Sequence, residues 1–92
     1  MKVSFHDVDH VFEQLLTGEV SREFASSWAY RAMEAEDART IVYEPADLED
    51  QLWRAIGFLE GVDNQDSPDT YLHDTENILA ARSRLRRAID RE

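Results

Sequence analysis

The feature that most constrains this fold is a series of apolar stripes with helical spacing, each bounded by residues that start or stop helices. Between Val8 and Leu15, apolar residues recur at i, i+3, i+4 and i+7, which places them on one face of a helix. Ser4 or Asp7 is expected to cap the start of this helix, and Gly18 is expected to end it. The pattern predicts an amphipathic helix followed by a tight turn.

Three further stripes follow along the chain. Ser21 is a good N-cap for the second helix, which is expected to end near Glu36 or Ala38. Pro45 fits the first turn of the third helix and Gly61 its end. Asp74 or Thr75 is expected to cap the fourth. The apolar positions are Phe24, Trp28 and Ala32 in the second helix, Leu48, Leu52, Ile56 and Leu59 in the third, and Ile78, Ala81, Leu85 and Ile89 in the fourth.

The segments between the stripes carry weak strand signals. The β-branched stretch Thr40–Tyr43 is short and isolated, so it is interpreted as an extended connector and not as part of a sheet. Residues 62–73 are interpreted as a polar loop. Four amphipathic helices with short connections indicate an all-α fold, an antiparallel four-helix bundle forming a single domain over residues 1–92. Its core is predicted to include Phe12, Phe24, Trp28 and Trp53.

The charge of the chain is acidic and unevenly distributed. Its formal net charge is −10. Residues 1–81 hold 5 basic and 18 acidic residues, a net of −13, whereas residues 82–92 hold 5 arginines and 2 acidic residues, a net of +3. Nucleic acids and anionic membranes are bound through basic surfaces, so the acidic body argues against both as partners. It favours either simple solvation or a basic protein partner.

Several functional classes are disfavoured by what the sequence lacks. Without cysteine, it has no disulfides, thiolate metal sites or cysteine nucleophiles. No apolar run approaches the ~20 residues that span a bilayer, and the N-terminal residues lack a signal-peptide core, so a cytoplasmic location is expected. No phosphate-binding glycine loop, nucleophile elbow or dinucleotide fingerprint occurs. The sequence therefore predicts a binding protein that is not an enzyme and needs no cofactor.

Two patterns resemble metal sites, and both match poorly. His6 and His10 are spaced i, i+4, as two zinc ligands on one helical face would be. A third ligand is needed, and His73 is the remaining histidine. The acidic segment 63–74 lacks the glycine and the final glutamate of a calcium-binding EF-hand loop. We interpret the histidines as a surface pair and the segment as a solvated loop, and predict no metal site.

Two acidic groups flank the third predicted helix, one at its start and one beyond its end. Such an arrangement could mimic a phosphate backbone and occupy a basic groove on another protein. The acidic group at the start of the helix is explained equally well by its favourable interaction with the helix dipole. The group beyond the end is explained equally well as part of a solvated loop. The predicted partner-binding residues are Glu44, Asp47, Glu49, Asp50, Glu60, Asp63, Asp66 and Asp69.

Two segments resemble the colicin D-type immunity protein family. They are Phe12-x-x-Leu15-Leu16-x-Gly18-x-Val20-Ser21-x-x-Phe24-x-x-x-Trp28 and Asp47-Leu48-x-x-x-Leu52-Trp53-x-Ala55-Ile56-x-x-Leu59. The similar layout spans about residues 8–90. The resemblance implies a cytoplasmic four-helix bundle that binds and inhibits a basic, tRNase-type nuclease domain of a bacteriocin or contact-dependent inhibition toxin. The arginine-rich last helix departs from this picture and would have to face away from a basic toxin.

Two other interpretations remain open at this point. A non-catalytic helical scaffold or adaptor, monomeric or weakly homodimeric, could use Leu16, Phe58 and Leu79 as an exposed second face. A metal-dependent enzyme could use His6 and His10. Of the three, the sequence favours the immunity protein.

Overall fold

The computed structural model describes residues 1–67, 70–71 and 73–90 of the chain. In these ranges the main helices are α1 (Phe5–Thr17), α2 (Arg22–Asp37), α3 (Glu49–Glu60) and α4 (Thr75–Asp90), and a 3-10 turn, Ala46–Leu48, leads into α3. The short strands are β1 (Lys2–Ser4), β2 (Val42–Glu44), β3 (Gln65–Ser67) and β4 (Thr70–Tyr71). No helix in the described ranges is long and apolar enough to cross a membrane.

The predicted all-α class is wrong, because β1 and β2 form a parallel pair and the fold is mixed α/β. Val3 pairs with Tyr43, and the backbone N–H of Val42 donates to the Met1 carbonyl at 2.8 Å. The stretch interpreted as a lone connector thus finds its partner strand some forty residues earlier in the chain. Both Val3 and Tyr43 are buried, so the strand pair adds apolar side chains to the helical core.

Residues at the ends of α1 and at the starts of α2 and α4 form the expected caps, whereas Pro45 precedes the 3-10 turn and is not in the first turn of α3 as predicted. Ser4 Oγ accepts from the Asp7 N–H and the Asp7 carboxylate accepts from the Ser4 N–H, a reciprocal capping box. Gly18 closes α1 in the left-handed conformation with φ of 77°, which a glycine adopts without steric penalty. Ser21 Oγ accepts from the Phe24 N–H, and the Asp74 carboxylate accepts from the Asn77 N–H, so α2 and α4 begin where predicted.

The core lies where α3 meets its neighbours, since α3 packs against both α2 and α4 while α1 packs on α4. From α2 it receives Ala25, Ala29 and Ala32, and Trp28 is partly buried against it, whereas Phe24 is not part of it. Phe12 is fully buried, but Phe24 and Trp53 are 48% and 37% exposed. The buried core residues include Val8, Val11, Phe12, Ala25, Ala29, Ala32, Leu52, Ile56, Leu59, Val62, Ile78 and Leu85. Short alanine side chains allow α2 to approach α3 closely, which displaces Phe24 toward solvent.

The segment after α3 is held against α2 by Arg22. Its guanidinium donates to the backbone carbonyls of Val62 at 3.1 Å and His73 at 2.5 Å, and it lies 4.3 Å from the Tyr71 ring centroid. The described part of this segment contains the antiparallel pair β3–β4, in which Gln65 pairs with Tyr71. The predicted featureless loop is therefore wrong for these residues, because a cation from α2 satisfies carbonyls that a solvated loop would leave to water.

Candidate nucleic-acid interface

An open groove of about 620 Å³ separates α3 from α4. Ala55 on α3 and Ala81 and Ala88 on α4 line it, and side chains that end at Cβ leave space where larger residues would interdigitate. Its apolar lining is completed by Leu48, Phe58 and Leu85. The groove is therefore a consequence of small residues at facing positions of two packed helices.

Three arginines line this groove, and we refer to them as the groove arginines. Arg54 belongs to α3, and Arg84 and Arg87 belong to α4. No carboxylate in the described ranges lies within 4 Å of their guanidinium groups. Asp47 is the acidic residue among the lining residues, and Gln51 adds a neutral amide. The groove thus combines an apolar floor with a cationic edge whose hydrogen-bond donors are available to an anion.

The other two described arginines of α4 have a structural role. Arg82 donates from Nε and Nη2 to the two carboxylate oxygens of Asp9, at 2.9 and 3.2 Å, and Arg86 lies 3.5 Å from the same carboxylate. The hydrogen bond with Asp9 raises the pKa of Arg82 above its ordinary value. The side chains of Asp9 and Arg82 are only 15% and 20% exposed. This pair fastens α4 to α1 and leaves the groove arginines as a separate set.

The described members of the predicted acidic binding residues lie near the two ends of α3. Glu44 pairs with Lys2 at 2.5 Å, and Asp47 lies at the groove. Glu49 and Asp50 are exposed at the start of α3, whereas Glu60 and Asp63 are half-buried at its far end. Asp69 lies outside the described residues, and so does the side chain of Asp66. The assignment of these eight residues to a partner surface stays a prediction.

The two histidines of α1, His6 and His10, stack on each other at the surface. Their ring centroids are 6.1 Å apart with an interplanar angle of 6°, and both residues are exposed. His73 instead packs against the Phe58 ring, with centroids 4.7 Å apart. Across the ranges that the structure describes, no three His, Cys, Asp or Glu residues come together as a metal site would need.

The three residues proposed for an exposed second face are also dispersed. Phe58 packs against the core and lines the α3–α4 groove, while Leu16 lines a smaller pocket at the α1–α2 turn. Leu79 is 48% exposed on α4. The structure therefore does not bring Leu16 and Phe58 into one pocket.

The fold and the groove define a small mixed α/β protein with a cationic concave edge. The chain belongs to the family described as YxzC DNA-binding protein, which it matches over residues 5–81. It is similar to a protein of Bacillus subtilis (strain 168) named "Uncharacterized protein YxzC", with 33% identity over 66 residues. That match covers 72% of this chain and 48% of the relative, so it spans about half of the relative's length. No solved structure matches the chain.

This family membership overturns the immunity-protein resemblance and the function and toxin partner inferred from it. The residues that carried the resemblance are helix caps, a glycine stop and apolar stripes, which any pair of packed helices requires. The exclusion of nucleic acid as a partner is also wrong, because the family description names DNA. That exclusion rested on the net charge of the whole chain. The electrostatic potential at a point on the surface, however, depends mainly on charges within roughly 10 Å of that point at 0.1 M salt.

Sequence reasoning missed the groove arginines, although one signal for them was visible. The +3 charge of residues 82–92 marks a cationic segment, which the immunity-protein resemblance places on a surface facing away from a toxin. Nothing local in the sequence indicates that Arg54 faces α4. The family match ends at Ala81, so Arg54 lies inside the matched region and Arg84 and Arg87 follow it.

Proposed function

We propose that this chain is a non-catalytic DNA-binding protein that contacts phosphates through the groove arginines. The observation that carries the proposal is the convergence of Arg54 with Arg84 and Arg87 on one groove, with no ion-pair partner for them in the described ranges. Arginine is suited to this role because its planar guanidinium donates two parallel hydrogen bonds to a phosphate. The family description supplies the class of ligand.

The acidic body restricts where DNA can approach. Outside the groove arginines, the exposed surface carries the carboxylates that give the chain its net charge of −10, and these repel phosphates. Asp9 offsets one of the two positive charges of Arg82 and Arg86, so the α1 side of α4 offers less positive charge than the groove arginines. DNA is therefore expected to bind on the α3 side of α4 and nowhere else on the described surface.

The proposal includes a cytoplasmic location. The similar YxzC protein is bacterial, and the DNA of a bacterium lies in the cytoplasm. A groove whose lining mixes alanine, leucine and arginine, without a nucleophile or a paired acid and base, supports binding and not catalysis.

The test is a comparison of two double variants with equal charge change. Arg84→Gln with Arg87→Gln removes two groove arginines, and Arg31→Gln with Arg39→Gln removes two exposed arginines elsewhere. Fluorescence anisotropy with labelled DNA, titrated between about 50 and 200 mM salt, gives the affinity and its salt dependence. The groove variant should bind at least about tenfold more weakly, and its slope of log K against log salt should shrink by about 2, one for each lost phosphate contact.

The control variant should retain nearly all of the affinity, since its arginines lie away from the groove. Equal losses in both variants would mean that net charge alone governs binding, and the assignment of the site would be wrong. Absence of binding by the unmodified chain at about 50 mM salt, where phosphate contacts are strong, would refute the proposed function itself.

A further inference from the structure

We propose that the groove accepts single-stranded DNA, with a nucleobase on its apolar floor and flanking phosphates on the groove arginines. This inference rests on the proposed function and deepens it by naming the form of DNA that is bound. It is argued from the shape of the groove, from the placement of its charges and from the outward face of α4.

The groove is large enough to hold part of a ligand the size of a nucleotide. Its volume of about 620 Å³ lies within the roughly 300–1,000 Å³ typical of pockets that hold drug-sized molecules, a class that includes a single nucleotide. The floor is apolar, as a base face requires, and is formed by Leu48, Ala55, Phe58, Ala81, Leu85 and Ala88. A convex duplex backbone would bring hydrated phosphates to this floor and gain nothing from its burial.

The ring of Phe58 is held firmly at this floor. It packs beside Phe12, with centroids 6.1 Å apart, and beside His73 at 4.7 Å. A ring fixed on two sides gives a base a preorganised contact that costs little entropy to use. Gln51, which also lines the groove, carries both a donor and an acceptor for the edge of a base.

The charges flank the apolar floor instead of covering it. Arg54 belongs to the α3 wall, and Arg84 and Arg87 belong to the α4 wall. A single strand whose base points into the groove carries its phosphates on either side of that base. Proteins that bind single strands commonly combine a cationic groove with apolar or aromatic contacts to unstacked bases.

The outward face of α4 does not have the character of a helix that reads duplex DNA. Recognition helices place hydrogen-bonding side chains toward the base edges in the major groove. The exposed positions between the two sets of arginines are instead Glu76, Leu79, Ser83 and Asp90. An exposed leucine and carboxylates on this face disfavour insertion of α4 between the two phosphate backbones of a duplex. The groove between α3 and α4 is therefore the better match to DNA.

The experiment compares three labelled probes by fluorescence anisotropy at about 50 mM salt. They are a single strand of twenty nucleotides, the duplex made from the same strand, and an abasic strand of equal length that keeps every phosphate. The unmodified chain should bind the single strand at least about tenfold more tightly than the duplex or the abasic strand, because only the first offers accessible bases.

A pair of variants tests the groove directly. Ala88→Leu fills the groove from α4, and Ala80→Leu makes the same change at an exposed position of the same helix that does not line it. The groove variant should lose about tenfold in affinity for the single strand and keep its affinity for the duplex. The control should behave as the unmodified chain, with circular dichroism confirming that both variants fold.

The outcomes separate the two proposals. If the duplex or the abasic strand binds as tightly as the normal single strand, DNA binding stands but the base does not enter the groove, and this inference is wrong. The abasic comparison uses the unmodified chain, so it decides the matter even if Ala88→Leu fails to fold. If no probe binds, the proposed function fails and the inference fails with it.

Discussion

The contact between Asp9 and Arg82 predicts a measurable contribution to the free energy of unfolding. The change to make is Asp9→Asn, which removes the charge and keeps the shape of the side chain. Breaking a fully buried ion pair costs about 3–5 kcal/mol, and breaking an exposed pair costs about 0.2–1 kcal/mol. With side chains 15% and 20% exposed and two hydrogen bonds between them, the loss should be about 1.5–2.5 kcal/mol.

Urea unfolding followed by circular dichroism measures this loss, and a double-mutant cycle with Arg82→Gln isolates the pair. The coupling energy should exceed about 1 kcal/mol. In thermal unfolding the same loss corresponds to a fall in Tm of roughly 6–20 °C, since 1 kcal/mol shifts a domain of this size by about 4–8 °C. A coupling energy below about 0.3 kcal/mol would place the pair among ordinary surface contacts and refute the view that it fastens α1 to α4.

The same variant also tests the division of the α4 arginines into two sets. Asp9→Asn releases Arg82 and Arg86 but leaves the groove arginines unchanged. Its affinity for DNA should therefore change by less than about threefold, even as its stability falls. A gain of tenfold or more would show that Asp9 screens arginines that contact DNA, and the binding surface would have to include the α1 side of α4.

The remaining predictions concern backbone conformation and pH. Gly18→Ala should destabilise the chain by about 1–2 kcal/mol, because a φ of 77° strains any residue with a Cβ. Gly57→Ala, in the interior of α3 with open space around it, should instead stabilise by about 0.5–1 kcal/mol. Burial and the hydrogen bond to Glu36 raise the pKa of Tyr43. The stability contributed by the Tyr43 hydroxyl should thus be constant below about pH 10 and decline above it, where the unfolded state ionises first. Urea midpoints of the unmodified chain and Tyr43→Phe at pH 8 and pH 11 should converge at the higher pH, and an unchanged difference would contradict the assignment.

Local patterns predicted the helices well, because each helix carries its own periodicity and its own caps. Ser4, Gly18, Ser21 and Asp74 all act at the ends where the sequence placed them. These features depend on residues within one turn of each other, so they can be interpreted without knowing the tertiary structure. The prediction of helix positions needed nothing more.

The strand pair and the face of α2 could not be predicted in this way. Val3 and Tyr43 pair across about forty residues, and three-residue strands show no alternation long enough to detect. On α2, Ala25, Ala29 and Ala32 are buried and Trp28 is partly buried against the core, but Phe24 is 48% exposed. Apolar spacing alone does not distinguish these positions, because close approach of two helix backbones favours alanine over a large ring.

The groove could not be predicted from local sequence, because it forms between side chains of two different helices. Arg54 and Arg84 are thirty residues apart, and they share a groove only because α3 and α4 pack with their alanines facing each other. The charges along the chain identify the cationic segment at residues 82–92, but they do not show which side chains of other helices lie beside it. The family description names DNA, a class of ligand that the net charge of the chain argues against.

The net negative charge of the chain has a physical consequence for the proposed DNA binding. A net charge of −10 repels a polyanion that comes within about a Debye length of the acidic surface, while the groove arginines attract phosphates at the groove itself. This repulsion weakens non-specific attachment to duplex DNA, which depends almost entirely on phosphate contacts. The proposed contact of a base with the apolar floor would not be weakened in this way, because a base carries no charge. An acidic body with one cationic groove should therefore discriminate between forms of DNA more strongly than a uniformly basic surface would.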